Sequence, residues 1–326
     1  MGACESALCI ASATDTGKPL EAGPRRMKKT YLLVLLMLLL ATAASADWQS
    51  IAPGVDFQEF RDKNSDIYVT RVDLTNEAIR VVGTPESDRG SKVSDYAART
   101  HALAAINGDY FDDTFHPIGM TVGPCGEWDS AKKSKREGYL SIGDGEAVIK
   151  SQSQVPQDTV AEDWMTATVS GWPALVVGCE ALTDSELPGS DAFTRARHPR
   201  TAVGLSRDRK TLYFVVVDGR RTGAPGLTLS KLARFLAERL EVCSAINLDG
   251  GGSSTMWLRD RVINKPADGV ERPVSNHLAV VLEKDVRARG DEVSRTTTTT
   301  TITKTTTTTP AATSTSGSTP PPPRNH

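Results

Sequence analysis

Short apolar runs dominate the central part of the chain, and their length and spacing predict β-strands. The runs are four to eight residues long and rich in β-branched residues, which favour strands over helices. Polar turn sequences at 143–146 and 206–209 separate neighbouring runs, as hairpin connections do. The predicted strands are 67–74, 78–82, 102–106, 139–142, 147–150, 174–177, 201–205, 212–217, 245–248, 255–258 and 278–282.

Only two segments, 91–100 and 228–240, have the apolar spacing of an amphipathic helix, and Thr228 is a suitable N-cap for the second. Two helices with about ten strands predict an α+β fold, a single domain of antiparallel or mixed β-sheet with few helices. The chain lacks a regular strand-helix alternation and a 20–50-residue repeat, which argues against Rossmann, TIM-barrel and solenoid folds.

The two ends of the chain have patterns of their own. From Met27, two lysines precede an apolar run at 31–40 and small residues ending in an A-x-A site at Ala46, which predicts a bacterial-type signal peptide over 27–46. The apolar run is shorter than the roughly 20 residues of a spanning helix, so we expect export to the cell envelope or medium and no stable membrane span after cleavage. Residues 1–26 are interpreted as an upstream extension.

Residues 286–326 are rich in Thr and then Pro, a composition that cannot bury enough apolar surface to order itself. We predict a disordered tail, with a glycosylated or wall-crossing stalk as the alternative. The folded domain is therefore expected over 47–285. Its cysteines, Cys125, Cys179 and Cys243, permit one disulfide and one free thiol in an oxidising compartment, and the sequence leaves the pairing open.

Charge narrows the possible partners. The chain has 38 Lys and Arg against 40 Asp and Glu, but residues 1–46 and 286–326 hold an excess of bases, so the central segment is net acidic. An acidic domain with 6% aromatic residues argues against nucleic-acid binding. A content of 39% hydrophobic and 24% charged residues excludes wholesale disorder.

Polar clusters follow three of the predicted strands. In the first, an apolar strand leads directly into Asn107, Gly108 and Asp109, whose side chains would emerge at the floor of a cleft; an Asx turn closing a hairpin is the alternative. In the second, Arg200 begins one strand, and Asp218 and Arg220 follow the next. The planar guanidinium group of arginine presents parallel N–H donors that suit phosphate or carboxylate, so this cluster is a candidate anion-binding site. A surface Asp–Arg ion pair is the alternative interpretation.

The third cluster is the most specific. Asn247 and Asp249 precede three glycines, Gly250, Gly251 and Gly252, and two hydroxyl donors, Ser253 and Ser254. Consecutive glycines let backbone N–H groups approach an anion closely. The loop is neither a Walker A loop, since no Lys follows, nor a nucleophile elbow, since the second glycine of G-x-S-x-G is missing. A flexible hairpin is the alternative.

Metal signals are weak, because the histidines and cysteines show no H-x-x-x-H or C-x-x-C spacing. We expect no cofactor, and a divalent cation held by Asp109, Asp218 or Asp249 is left open.

Taken together, the motifs at 106–111, 217–220, 247–254 and 272–276 resemble the phosphodiester glycosidase domain over about 102–282. This family includes a glycosidase acting on N-acetylglucosamine-1-phosphodiesters and bacterial secreted proteins labelled as exopolysaccharide-related. The resemblance implies hydrolysis of the bond between a sugar anomeric carbon and a phosphodiester, in a carbohydrate-phosphate substrate or surface polysaccharide.

The residues acquire roles under that resemblance. Asp249 and Asp218 are the candidates for nucleophile or base, and Asp109 for acid/base or third carboxylate. Phosphate binding is assigned to Arg200, Arg220 and the loop of Gly250, Gly251, Gly252, Ser253 and Ser254, and sugar orientation to Asn107 and Asn247. Two other functions stay open: a non-catalytic polysaccharide-binding module of the cell envelope and a metal-dependent phosphodiesterase.

Overall fold

The computed structural model describes residues 48–61, 65–156 and 158–285. The predicted extension 1–26, signal peptide 27–46 and tail 286–326 lie outside the described residues. Within the described part of the chain, none of the helices has the length and apolar character needed to cross a membrane.

Three α-helices and eighteen strands make up the described structure. The helices are α1 Val93–Thr100, α2 Asp191–Thr194 and α3 Leu229–Arg239. The strands are β1 Gln49–Ala52, β2 Val55–Arg61, β3 Asp66–Asp73, β4 Ile79–Gly83, β5 Ala104–Asn107, β6 Val122–Gly123, β7 Gly126–Glu127, β8 Gly138–Gly143, β9 Glu146–Lys150, β10 Ala167–Gly171, β11 Ala174–Val177, β12 Glu180–Ala181, β13 Arg200–Ser206, β14 Thr211–Val217, β15 Val242–Asn247, β16 Met256–Leu258, β17 Arg261–Val262 and β18 His277–Leu282.

The predicted α+β class with antiparallel sheet and few helices is confirmed, and each predicted strand overlaps one in the structure. All strand ladders of the described residues are antiparallel, so the mixed-sheet alternative is wrong for these ladders. The prediction missed seven strands of the described residues: the two-residue strands β6, β7, β12 and β17, the first strand β1, and the longer strands β2 and β10. Charged and polar residues interrupt the apolar pattern of β2, and β10 consists mostly of small or hydroxylated residues. Both lack the continuous apolar run on which the strand prediction relied.

The strands form three sheets around a shared apolar core. The largest has the order β1-β2-β3-β14-β13-β15-β11-β12, and two five-stranded sheets have the orders β7-β6-β10-β8-β9 and β17-β16-β5-β18-β4. One core cluster draws buried side chains from all three, among them Phe214, Leu140 and Ile106. Burial of these apolar faces holds the sheets together.

Two helices cover the outer faces of this arrangement. Helix α3 packs its apolar stripe against the outer face of the eight-stranded sheet, and the Thr228 side chain accepts a hydrogen bond from the Lys231 N–H as its N-cap. Helix α1 covers the sheet that contains β5 through Val93, Tyr96 and Ala97. Both predicted helices are therefore present, and among the α-helices of the described residues only the four-residue α2 was not predicted.

The disulfide left open by the sequence joins Cys179 to Cys243, and Cys125 is free and exposed. The bridge connects the turn after β11 to β15, where the Cys179 N–H also donates to the Cys243 carbonyl oxygen at 2.9 Å.

Strand register brings the second and third polar clusters to one edge of the large sheet. Arg200 at the start of β13 lies opposite Val217 at the end of β14, and Ala202 lies opposite Asn247 at the end of β15. Residues that follow β14 and β15 therefore emerge beside the start of β13. The first cluster follows β5 in a different sheet, so its position relative to this edge depends on how the sheets meet.

Candidate active site

The first and third clusters meet directly. The Asn107 side-chain amide donates to the Asp249 carbonyl oxygen at 2.7 Å, and the Asp249 N–H donates to the Gly108 carbonyl oxygen at 3.1 Å. The Asn107 Oδ1 atom accepts from the Thr201 hydroxyl of β13 at 2.8 Å. The end of β5 is thus hydrogen-bonded to both strands at the edge of the large sheet.

The second cluster joins the same place through Asn264. Its side-chain N–H groups donate to the Ser254 carbonyl oxygen at 2.9 Å and to Asp218 Oδ1 at 3.3 Å. The Gly251 N–H also donates to the Pro199 carbonyl oxygen, just before β13, at 3.0 Å. The three strand ends that the sequence singles out therefore converge on one site.

The triple-glycine segment forms the wall of this site. Gly251 has φ +65°, a left-handed conformation that glycine adopts without strain, and it starts a short 3-10 turn through Ser253. A Cβ atom at Gly251 would lie 3.1 Å from the Arg220 guanidinium, and one at Gly252 would overlap the side chains of Asp268 and Arg272. Glycine therefore lets two arginines flank the loop at close range.

Hydroxyl groups at the end of this loop have unused hydrogen-bonding capacity. Among the described residues, the buried side-chain oxygens of Ser253, Ser254 and Thr255 have no hydrogen-bond partner of acceptable geometry. Buried polar atoms are normally paired, so three unpaired hydroxyls beside the glycine loop are candidate donors to a ligand. Together with the arginines they suit an anion with several acceptor oxygens.

Asp249 is the carboxylate at this loop. It is partly exposed, and burial raises its pKa to about 6, against the opposing influence of Ser253, the Gly250 N–H and the Arg272 charge. The Ser253 hydroxyl is thus close to the carboxylate, although it makes no well-aligned hydrogen bond to it. A carboxyl with this pKa is mostly charged at neutral pH and able to accept a proton.

Asp109 lies in the interior instead. It is 1% exposed, and its two oxygens accept from the Ser170 N–H at 2.8 Å and the Thr121 hydroxyl at 2.5 Å. Burial raises its pKa to about 8, which leaves the carboxyl protonated at neutral pH. Because both carboxyl oxygens are hydrogen-bonded within the protein, Asp109 supports the site from the interior. The geometry therefore argues against the predicted role of Asp109 as an acid/base in contact with substrate.

Asp218 is also enclosed. Its Oδ2 atom accepts from Arg221 at 2.7 Å and from Tyr68 at 3.3 Å, and its Oδ1 atom from the Lys265 N–H at 2.9 Å and from Asn264. Burial raises the pKa of this carboxyl despite these donors. With its oxygens engaged, Asp218 ties the end of β14 to the loop after β17, and Asp249 remains the accessible carboxylate of the three.

The two predicted phosphate-binding arginines differ in their surroundings. Arg220 is exposed and lies against Gly251. Arg200 is 2% exposed, and its guanidinium donates to the carbonyl oxygens of Leu227, Phe193 and Ala196. Burial lowers the pKa of Arg200 to about 10, and it stays charged at neutral pH. The structure thus gives Arg200 a role in holding the loop before β13, and only Arg220 reaches the open site.

The asparagines assigned to the sugar are likewise buried. Asn107 uses its amide nitrogen and oxygen within the protein, as described above. Asn247 donates to the Tyr110 hydroxyl at 2.6 Å and to the Trp172 carbonyl oxygen at 3.0 Å, whereas its Oδ1 atom has no partner within the described residues. Asn247 therefore keeps one acceptor free, and its contact with sugar stays a prediction.

Sequence reasoning did not assign roles to Arg272 or Tyr110, which the structure places at the site. Arg272 pairs with Asp268 beside Gly252, and its charge lowers the pKa of Asp249. Tyr110 is half-buried next to Asn247, and burial raises its pKa. Both residues fall within the motif segments 106–111 and 272–276, so their position in the sequence was the signal that could have identified them.

The described residues contain no group of three or more His, Cys, Asp or Glu side chains that could hold a metal ion.

Comparison with known proteins identifies relatives over this region. A sequence model described as phosphodiester glycosidase matches residues 100–281, which contain all three strand ends. The bovine (Bos taurus) N-acetylglucosamine-1-phosphodiester alpha-N-acetylglucosaminidase is 30% identical over 193 residues, which is 56% of this chain and 36% of the bovine protein. A SPbeta prophage-derived uncharacterized protein of Bacillus subtilis is 26% identical over 193 residues, covering 58% of this chain and 29% of its own length.

Solved structures share the fold. The zebrafish N-acetylglucosamine-1-phosphodiester alpha-N-acetylglucosaminidase catalytic domain, auto-inhibited by its pro-peptide, has a TM-score of 0.56 at 22% identity, over 73% of this chain and 87% of that one. A hypothetical protein from Synechocystis has a TM-score of 0.54 at 16% identity, over 74% of this chain and 65% of that one. The chain spans only about a third of the length of the curated relatives above.

Proposed function

The chain belongs to the phosphodiester glycosidase family, and on that premise we propose that it is a secreted hydrolase of sugar-1-phosphodiester bonds in an extracellular or cell-surface glycan. The observation that carries this proposal is the juxtaposition of Asp249 with the Gly250–Gly252 loop and the exposed Arg220. It combines an ionised carboxylate with an anion-binding wall, which are the two elements that the reaction needs. The N-acetylglucosamine-1-phosphodiester activity named for the animal relatives supports the choice of substrate class.

The phosphate end of the substrate is proposed to bind the glycine loop. Arg220 presents a planar pair of donors that suits phosphate, and Arg272 supplies a second positive charge on the other side of the loop. The hydroxyls of Ser253 and Ser254 satisfy the remaining acceptor oxygens. Negative charge that accumulates on the departing phosphate is therefore stabilised by groups already in place.

Asp249 is proposed to act at the anomeric carbon. The bond from that carbon to the phosphate oxygen breaks, and the phosphate ester leaves with the electron pair. Because a phosphate ester is a weak base, it needs little assistance from a general acid, unlike an ordinary sugar leaving group. Asp249 either takes a proton from the attacking water or attacks the carbon first and is released by water in a second step.

Export is part of the proposal. The basic, apolar and A-x-A sequence over 27–46 supports it, and polymers bearing sugar phosphates outside the cytoplasm would be the accessible substrates. Mass spectrometry of the mature N-terminus from culture medium tests this directly. A start at Asp47 is expected, whereas retention of 27–46 would contradict cleavage after Ala46.

The activity is tested by incubating the purified full chain with N-acetylglucosamine-1-phosphodiester compounds and a panel of wall polymers. Release of free sugar is expected, and Asp249→Asn should abolish it while Asp163→Asn, at an exposed site, should not. In ¹⁸O-labelled water the label should enter the sugar. Label in the phosphate would instead indicate a phosphodiesterase, and saturable polysaccharide binding without turnover would indicate a binding module.

A further inference from the structure

A separate cavity adjoins the site on the side of Asp109. Its volume is about 270 Å³, just below the range of about 300–1,000 Å³ that is typical of drug-sized ligands and enough for a single sugar residue. Its lining includes Trp128, Glu137, Tyr139 and Ser170. The sequence motifs did not indicate it, because these residues come from β8, β10 and the loops before them.

Two polar atoms of the cavity lining have no partner. Glu137 is 7% exposed and Tyr139 1%, yet Glu137 Oε2 and Tyr139 Oη make no hydrogen bond within the described residues. Leaving such buried groups unsatisfied costs roughly 1–3 kcal/mol each and more for a charged group. A bound ligand with hydroxyl groups would satisfy both, since a hydroxyl donates to a carboxylate and pairs with a phenol in either direction.

The cavity is joined to the catalytic region through Ser170. This residue lies directly opposite Tyr139 in the ladder of β10 and β8, and its N–H donates to Asp109 Oδ1 at 2.8 Å. The residue before Asp109, Gly108, accepts the N–H of Asp249 at 3.1 Å. The segment Gly108–Asp109 therefore contacts both the cavity wall, through Ser170, and the backbone of Asp249, whose carboxylate is proposed to act at the anomeric carbon.

The charges of the cavity select against phosphate. Glu127, Asp129 and Glu137 line it against Lys133, and the Arg136 charge also acts on Glu137. The surroundings therefore hold more carboxylates than bases and favour a neutral group over an anion. The arginines of the neighbouring site lie at the glycine loop instead. The two places therefore favour opposite ends of one substrate: the anion at the glycine loop and a neutral, hydroxyl-bearing group in the cavity.

We propose that this cavity is a glycosyl-binding subsite, in which Glu137 and Tyr139 bind the hydroxyl groups of a neutral sugar residue of the substrate. The proposal rests on the proposed function for its substrate class, but sugar binding is measurable without turnover. The two can therefore fail separately: absence of hydrolysis with sugar binding intact would refute the activity alone.

The test is direct binding of methyl α-glycosides of N-acetylglucosamine, glucose, galactose and mannose to the full chain. Saturation-transfer NMR and titration of tryptophan fluorescence, to which Trp128 in the lining contributes, are the readouts. At least one glycoside should bind saturably. Glu137→Gln and Tyr139→Phe should each weaken its binding, by at least about 10-fold for the charged acceptor and about 3-fold for the phenol.

Matched control variants remove a carboxylate and a phenol hydroxyl at positions outside the cavity. Glu180→Gln, on the exposed strand β12, and Tyr213→Phe, on β14, should leave the dissociation constant within about twofold. Inorganic phosphate should bind all four variants with the affinity of the parent, because its site is at the glycine loop. Thermal melting of each variant verifies that it is folded.

Three outcomes would overturn the subsite. These are absence of binding by all four glycosides, binding that both Glu137→Gln and Tyr139→Phe leave unchanged, and competitive displacement of the glycoside by inorganic phosphate. Binding of calcium or magnesium ions that depends on Glu137, without any sugar binding, would also replace this proposal with a cation site.

Discussion

The side-chain amide of Asn107 donates to the backbone carbonyl of Asp249 at 2.7 Å, across 142 positions of sequence. The Asn107 Oδ1 atom accepts from the Thr201 hydroxyl at 2.8 Å and from the Thr255 N–H at 3.2 Å. One buried side chain thus ties the end of β5 to β13 and to the segments on either side of the glycine loop. Asn107 functions as the junction of two sheets at the site, rather than as a group facing the cleft.

Replacing Asn107 by Ala should therefore lower both stability and activity. It leaves the Asp249 carbonyl, the Thr201 hydroxyl and the Thr255 N–H without their partner, and the free energy of unfolding should fall by about 3 kcal/mol. Urea denaturation followed by fluorescence measures this. Asn76→Ala, in an exposed turn, is the control and should cost about 1 kcal/mol. A loss at Asn107 no larger than at Asn76 would contradict the junction role.

The disulfide provides a second stability prediction. Cys179 and Cys243 are 64 residues apart, and closing a loop of that length stabilises the folded state by about 4 kcal/mol in the chain-entropy description. The double variant Cys179→Ser with Cys243→Ser should lose stability on that scale. Cys125→Ser should not, because Cys125 is exposed and free. Equal melting temperatures of the parent with and without reductant would argue against the bridge.

Asp109 should produce a pH-dependent stability. Burial raises its folded-state pKa to about 8, above the value of about 4 in an unfolded chain. The folded state then binds the proton more tightly, so its contribution to stability is complete below about pH 4 and falls as pH rises through about 8. Asp109→Asn should flatten this decline in melting temperature between pH 5 and 9. Asp163→Asn, at an exposed position, should retain it.

Much of the site location was readable from sequence, because strands are apolar runs and the polar clusters stand where those runs end. The order of the strands was not readable from sequence, because the ends of β5 and β15 meet through hydrogen bonds between residues that are far apart in the chain. Nor was the enclosure of Asp109 and Asp218 predictable. Their donors are groups of residues far away in sequence, such as Ser170 for Asp109 and Lys265 for Asp218. Sequence patterns mark where polar residues emerge but not which of them the remaining chain covers.

Arg220 should govern substrate affinity. Its exposed guanidinium beside Gly251 is the proposed fork for the phosphate, so Arg220→Met should raise KM for a sugar-1-phosphodiester by about 10-fold or more, with a smaller effect on kcat. Inorganic phosphate should likewise inhibit the variant less well. Arg207→Met, in the exposed turn after β13, is the control. An unchanged KM and an unchanged inhibition constant would remove Arg220 from the phosphate site.

Asp249→Asn should separate catalysis from stability. Loss of the proton acceptor should lower kcat by at least about 100-fold with little change in KM. In the parent, kcat/KM should fall as pH drops through about 6, the value to which burial raises the pKa of Asp249, because the charged form is the active one.

The raised pKa of Asp249 also means that the folded state loses stability as pH rises from about 4 to about 6. The variant should therefore melt at a higher temperature than the parent at pH 7 and at a similar one at pH 4. A variant that retains kcat, or whose melting temperature drops at pH 7, would contradict the role of Asp249 as a partly exposed carboxylate that is ionised in the active enzyme.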